Sequence, residues 1–283
     1  RSGRLNAGTM ILIRRRMDRP EKVGDALATR TDGLVLGQFG DFVLHSAYQP
    51  IYRPRTNQPP ELVALEGLVR PFRGEQVVSP DLFFSTVDEA DALFAECMCQ
   101  ALHVRNYRRA MPANLKLFLN INAAVYRSQK TLAHEFTFMI EQLPKHGLSV
   151  DQVVFELLET APYSFGIIDW LRGFARDNAV QFAIDDFGRG HSNLQRYESL
   201  KPDVVKIDGH LFAQSSENSQ QHRVLLSVID RVHDNATNMW TLTKPAVTTS
   251  FTNFNVLLVR IRDSTDRCHA LRAHQTNFTR GQA

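Results

Sequence analysis

Val180-Gln181-Phe182-Ala183-Ile184-Asp185-Asp186-Phe187-Gly188 is an apolar run of strand length that stops on two adjacent carboxylates and a turn. A buried strand gains nothing from charges at its exit unless they bind something, because burying an unpaired charge is costly. The same rhythm recurs on both sides. Val204 and Val205 lead to Lys206, and Val153-Val154-Phe155 leads to Glu156. Leu115 to Leu119 leads to Asn120, the run from Leu62 to Phe72 carries Glu66 and Arg70, and an earlier run carries Gln49. These residues are far apart in the chain. A fold that lines successive strand ends around one mouth would gather them, and the (β/α)₈ barrel does this at the C-terminal face of its strands.

The intervening segments support an α/β barrel. Strand-like runs are expected at Phe42 to Tyr52, Leu62 to Phe72, Leu115 to Asn122, Val153 to Leu158, Val180 to Asp185 and Val204 to Ile207. Helices are expected near Ser128 to Lys145, Phe165 to Arg176, Ser192 to Ser199 and Gln220 to His233. Another is expected to open at Ser85, which has capping-box spacing to Asp88. Strand, helix, strand at this spacing implies a parallel sheet with its helices outside. Residues 1–40 carry little periodicity and read as an arm or the remnant of an upstream segment, with the ordered domain starting near Phe39. Residues 41–234 form the main domain, and 235–283 a divergent tail without Glu and rich in Thr and Asn, where only Asn255 to Ile261 reads as a strand. A chain opening on Arg1 fits a fragment that lacks upstream sequence.

Bulk properties narrow the function classes. With 283 residues, 43% of them hydrophobic, the chain can bury a large core. The net charge of +3 is scattered and does not alternate with aromatics, which argues against polymeric nucleic acid as a ligand. Arg14, Arg15 and Arg16 read as a solvated arm. Cys97, Cys99 and Cys268 form neither a CxxC set nor an even disulfide framework, so a reducing cytoplasm is expected. Cys97 lies among Leu93, Phe94, Met98, Ala101 and Leu102 at helical spacing, as packing residues do. No run reaches the ~18 apolar residues of a membrane span, and the start lacks the apolar core of a signal peptide.

Taken singly, each strand-end residue has an ordinary account: a salt-bridged Glu, turn chemistry for Asp-Asp, a solvated Lys. Together they form an all-oxygen set that suits Mg²⁺ or Mn²⁺ better than zinc, whose usual sites contain His or Cys. Two ions roughly 3.5–4 Å apart would clamp the oxygens of a phosphoryl displacement. Lys206 would orient water or a developing anion, and Arg70 could hold a phosphate.

Six segments in order carry a family resemblance: Tyr48-Gln49-Pro50-Ile51, Glu66-Gly67-Leu68-Val69-Arg70, Leu119-Asn120-Ile121-Asn122, Phe155-Glu156-Leu157-Leu158-Glu159, Asp185-Asp186-Phe187-Gly188 and Asp203-Val204-Val205-Lys206-Ile207-Asp208. The chain from about Ala47 to Asp234 resembles an EAL domain, the bacterial family that hydrolyses the signalling dinucleotide cyclic di-GMP. The resemblance implies a TIM-like (β/α)₈ barrel and opening of the dinucleotide to linear pGpG. It implies that Glu66, Asn120, Glu156 and Asp185 ligate a first metal, and Asp185 with Asp186 a second. Lys206 would position the hydrolytic water, and Glu159 would hold the loop after Asp185. Gln49, Leu68 and Arg70 would contact the dinucleotide. A homodimer and an upstream sensor or protein partner are further possibilities that the resemblance raises.

The match departs in three places. Gly67 replaces Ala in the signature, a small-for-small change expected to matter little. Leu158 stands where Thr is usual, and Arg189, His191 and Asn193 alter the loop after the aspartates. Finally, the family's Ala-Glu-Gly-Val-Glu strand, about 35 residues beyond the Lys, has no counterpart after Asp234, so strands seven and eight are missing as recognisable patterns. The tail therefore reads as an out-of-register translation or a replacement of the barrel end, leaving open sheet edges and uncovered core. Two functions follow: a metal-dependent cyclic di-GMP phosphodiesterase, or a degenerate EAL domain that serves as a cyclic di-GMP receptor or protein-binding module.

Overall fold

The computed structural model describes residues 22–55, 57–110, 114–158, 165–187, 199–207, 223, 240–245 and 254–260. Eleven strands form one sheet, and four α-helices are seen among the described residues. A short hairpin comes first, β1 (Leu27–Thr29) and β2 (Val35–Phe39). Two long strands follow, β3 (Phe42–Arg55) and β4 (Gln58–Arg73), then the two-residue β5 (Gln76–Val77). Helices α1 (Pro80–Thr86) and α2 (Ala92–Ala110) lead to β6 (Lys116–Ile121). Next come α3 (Gln129–Gln142), β7 (Val153–Leu157), α4 (Phe165–Asn178), β8 (Gln181–Phe187) and β9 (Val204–Ile207). The described chain ends in β10 (Trp240–Pro245) and β11 (Phe254–Arg260).

Strands β4, β6, β7, β8 and β9 are parallel neighbours in that order. This is the α/β, TIM-like arrangement expected from strand and helix alternation, but the sheet as a whole is mixed. Strand β3 pairs antiparallel with β4 along nearly its whole length, because so few residues separate the two that no crossover helix can intervene. The tail departs from expectation more strongly. Trp240–Pro245, which the Thr-rich composition concealed, is a strand, and with only eight residues before Phe254 it must pair with β11 as an antiparallel hairpin. Strand β11 then lies antiparallel on β9, while β10 meets β3 at the single position Thr243↔Tyr52. The edges that a foreign tail would have left bare are thus engaged by backbone pairing, although the parallel run does not close on itself.

Side chains alternate between the two faces of each parallel strand, as the pleat requires, and both faces are covered, so that all five residues of β7 are buried. One face packs Leu117, Phe155, Phe182 and Val205 under Leu132 and Phe136 of α3 and Leu171 and Phe174 of α4. The Phe136 ring is the hub, with centroids 5.3 Å from Phe155 and 5.7 Å from Phe174, both edge-on. The other face forms a small interior cluster of Ile51, Ala64, Phe118, Val154, Ala183 and Val204.

Ordered structure starts earlier than Phe39. Val35 and Phe39 pack with Phe42, Phe83, Phe94 and Met98 in a separate cluster, so β1 and β2 extend the sheet where an arm was expected. The first helix is also capped elsewhere. Ser79, whose hydroxyl accepts from Leu82 N at 3.2 Å, opens α1 just before Pro80, while the Ser85 hydroxyl donates to the Leu82 carbonyl. Helix α3 starts where a helix was expected and is capped by Ser128, whose hydroxyl accepts from Thr131 N at 3.1 Å. Among the described residues no helix is long and apolar enough to cross a membrane. The helices expected at Ser192 to Ser199 and Gln220 to His233 lie almost entirely outside the described residues.

Candidate active site

Each interior apolar residue of the parallel strands is followed two positions later by a polar one: Ala64 by Glu66, Phe118 by Asn120, Val154 by Glu156, Ala183 by Asp185 and Val204 by Lys206. The two-residue repeat puts both members of each couple on the same face, so a greasy floor is topped by a polar layer. Strand register fixes the neighbours. Asn120 is level with Glu156, Glu156 with Ala183, and Ala183 with Val204.

The aspartate pair occupies a bulge. Between the paired positions Ile184↔Val205 and Phe187↔Ile207, β8 holds Asp185 and Asp186 while β9 holds only Lys206. A β-bulge re-aims the local chain in this way and breaks the strict alternation of faces. The strand does not end at Asp185, as the sequence suggested, but runs through the pair to Phe187. The side chain of Asp186, and the whole of Glu159, lie outside the described residues.

Lys206 is the centre of the site. Its Nζ lies 3.0 Å from Glu66 Oε2 and 3.9 Å from Asp185 Oδ1, and is hydrogen-bonded to Glu156 Oε1. Glu156 is fully buried, and Lys206 and Glu66 nearly so, while Asp185 is the partly open member on the solvent side. Burial works against the lysine's charge, but the carboxylates of Glu156, Glu66 and Asp185 outweigh it and raise its pKa above the ordinary range. The acids thus favour the charged ammonium, which balances them.

Gln49 and Glu66 are direct cross-strand partners in the β3–β4 ladder. Both are therefore internal to long strands and not at strand exits. What does stop near Glu66 is the parallel ladder with β6, whose last pair is Gly67↔Leu119. Leu68 and Arg70 follow at two-residue steps on the face of Glu66, and Arg70 Nη1 donates to the Val69 carbonyl at 3.0 Å. The expected dinucleotide contacts thus share one face of one hairpin.

Glu66, Asn120, Glu156 and Asp185 are an all-oxygen donor set, which fits a hard divalent cation in its chemistry. Among the described residues, however, no three acids or imidazoles are grouped so as to hold a metal ion. The lysine ammonium supplies the positive charge that brings the acids together.

Helix α2 contributes residues that the sequence reading passed over. Glu96, Gln100, His103 and Asn106 are all buried, at steps of four, three and three. The Glu96 carboxylate accepts from Asn122 N at 2.8 Å and from Gln100 Nε2 at 3.1 Å, and Gln100 Nε2 also reaches the Asn120 carbonyl at 3.4 Å. Burial pushes the Glu96 carboxyl up to about 7 against these hydrogen bonds. His103 is held down to about 4 by burial, helped by the Arg70 charge and opposed by Glu66. Asn106 bonds both the N–H and the carbonyl of Val35 at 2.8 Å. The signal was present in the sequence as a second, polar stripe at helical spacing beside the apolar one. Cys97 and Cys99 sit in the same helix as free thiols, raised well above their ordinary pKa first of all by burial.

A family model described as EAL domain matches residues 40–238. A probable cyclic di-GMP phosphodiesterase of Escherichia coli K12, PdeI, is 27% identical over 172 residues, covering 58% of this chain and 21% of PdeI. The cyclic di-GMP phosphodiesterase PdeA of Borreliella burgdorferi is 26% identical over 192 residues, covering 66% of this chain and 28% of PdeA. The chain thus spans only about a quarter of the length of these relatives. Among solved structures, an EAL domain protein of Listeria monocytogenes aligns with a TM-score of 0.55 at 25% identity, over 68% of this chain and 74% of that one. The Bacillus subtilis YkuI protein, solved with cyclic di-GMP and calcium, aligns with a TM-score of 0.50 at 20% identity over 63% and 46% of the two chains.

Proposed function

The chain belongs to the EAL domain family, and from that membership we propose that it is a divalent-metal-dependent phosphodiesterase that opens cyclic di-GMP to linear pGpG. The observation that carries the reading is the gathering of Glu66, Glu156 and Asp185 about Lys206 on the interior face of the parallel strands. Relatives named as cyclic di-GMP phosphodiesterases, and a relative solved with that dinucleotide and calcium, support substrate and metal class.

Glu66, Asn120, Glu156 and Asp185 would hold the ion, Mg²⁺ or Mn²⁺, with Asp186 at the bulge available to a second. A bound ion would polarise a phosphoryl oxygen and lower the pKa of water. Lys206, kept charged by its acids, would orient the attacking water and meet negative charge developing on the phosphate. Gln49, Leu68 and Arg70 would seat the dinucleotide, with the Arg70 guanidinium on a phosphate. We take residues 41–234 as the EAL domain and 235–283 as a divergent tail, in a reducing cytoplasm that keeps Cys97 and Cys99 as thiols.

One observation favours the receptor as a second reading. The strand beside Lys206 places Leu258 opposite it, and neither β10 nor β11 contains an acid. A second ion would then lack an anionic ligand from that side, and turnover would suffer more than binding. Incubating the purified chain with cyclic di-GMP and Mg²⁺ or Mn²⁺, while following bound nucleotide and pGpG, tests both. Metal-dependent pGpG is the expected result, binding without product makes the chain a receptor, and neither overturns both readings.

A further inference from the structure

The proposed chemistry makes no use of His103, although burying an imidazole has a desolvation cost. The ring lies against the outer face of the β3–β4 ladder, behind the site. A Cβ added to Gly67 would stand 2.9 Å from His103 Cγ and 3.1 Å from its Cβ and Cδ2, closer than carbon atoms pack. The ring is tied in place, since Nδ1 is 2.9 Å from Ser46 Oγ and the Tyr48 hydroxyl donates to the His103 carbonyl at 2.7 Å. Gly67 does not have a positive φ, so the glycine answers to the imidazole and not to backbone strain. The change at the signature's middle residue, read in the sequence as inconsequential, is one half of a matched pair.

Gly67 follows Glu66, pairs with Tyr48 across the ladder, and Gln49 pairs with Glu66. We propose that His103 is a positioning residue for Glu66: its ring fills the slot at Gly67 and, bonded to Ser46, holds β4 at the height where Glu66 meets Lys206. The consequence for metal binding rests on the phosphodiesterase reading, whereas the packing of His103 on Gly67 does not. An alanine at position 67 would displace either the ring or the strand, and displacement of a ligand strand by a fraction of an ångström is felt at the site.

The test compares the wild-type chain with Gly67→Ala, His103→Ala, His103→Asn and the Gly67→Ala/His103→Ala double variant. Mn²⁺ titration without nucleotide, kcat and KM are the functional readouts. Gly67→Ala is expected to weaken Mn²⁺ binding about tenfold and to lower kcat with little change in KM. The double variant should recover to within about threefold of wild type, because the new methyl takes space the ring vacates. His103→Asn, which can still bond Ser46, should retain more affinity than His103→Ala. Additive losses, or a fall in thermal midpoint with Mn²⁺ affinity unchanged, would make the ring core packing only and overturn the proposal.

A second measurement needs no metal. Denaturation should show coupling between Glu66→Gln and Gly67→Ala that disappears in the His103→Ala background. Additivity there overturns the positioning role. A wild-type chain that binds neither Mn²⁺ nor cyclic di-GMP overturns the phosphodiesterase reading instead, and the coupling still decides the role of His103.

Discussion

The parallel run and the C-terminal hairpin complete the same sheet by opposite means. Strands β4 and β6 to β9 each bring a polar side chain to the interior face, staggered from strand to strand by the register, and α3 and α4 cover their outer face with Phe136, Leu171 and Phe174. The hairpin β10–β11 contributes backbone pairing and no acid. A sheet edge can be satisfied by any strand that offers N–H and C=O groups in register, because the ladder is indifferent to side chains. A site is not indifferent. The fold can therefore tolerate a substitute for its last units while the chemistry beside Lys206 is altered.

The largest expected effect comes from removing the charge that unites the parallel run. Lys206→Met leaves Glu66 and Glu156 buried without a cation and should cost about 3–5 kcal/mol of stability at neutral pH. Urea denaturation checks it, and part of the loss should return at acidic pH as the two carboxyls take up protons. A loss below about 1 kcal/mol would mean that the triad is more solvated than its burial indicates.

The α2 stripe offers the next largest effect, with two opposite pH dependences. Glu96 titrates near 7 folded and at 4.5 ordinarily, so its contribution is present below 4.5 and is lost as pH rises through about 7. His103 titrates near 4 folded and at 6.5 ordinarily, so its contribution is present above 6.5 and is lost as pH falls toward about 4. Each slope is on the order of 3 kcal/mol across its window. Glu96→Gln should gain stability over wild type as pH rises from 4.5 to 7. His103→Asn should gain as pH falls from 6.5 to 4. Stability curves parallel to wild type would show that these groups are hydrated.

A smaller effect sharpens the comparison from the hairpin side. Leu258→Glu puts a carboxylate at the register position opposite Lys206 and should tighten Mn²⁺ binding about tenfold, since affinity follows the count of anionic ligands. Unchanged affinity would place that side chain away from the site. Smallest of all, Arg127→Ala removes an exposed ion pair with Glu89 and should shift stability by less than about 0.5 kcal/mol.

Legibility differed in the same way between the two regions. The strand runs around Asn120, Glu156, Asp185 and Lys206 were legible because short apolar runs leading to polar residues leave few alternatives. The antiparallel placement of Gln49 was not, since strand direction depends on what the connection can span. Strand β10 was hidden by its Thr residues, whose polarity masks a good strand former. Residues 27–39 were misjudged because a polar turn at Asp32 and Gly33 splits their apolar residues into two short runs, which find a core through Phe83, Phe94 and Met98 from later in the chain.

By itself, the sequence determined the family, the α/β alternation and the residue types that meet at the site, because these follow from local periodicity and ordered motifs. Only the tertiary structure decided that Lys206 stands among Glu66, Glu156 and Asp185, that a bulge sets both aspartates opposite it, and that the His103 ring occupies the space a Cβ at Gly67 would need. Those facts depend on register and on helix packing, where a shift of one residue changes which side chains meet and no local pattern records the partner.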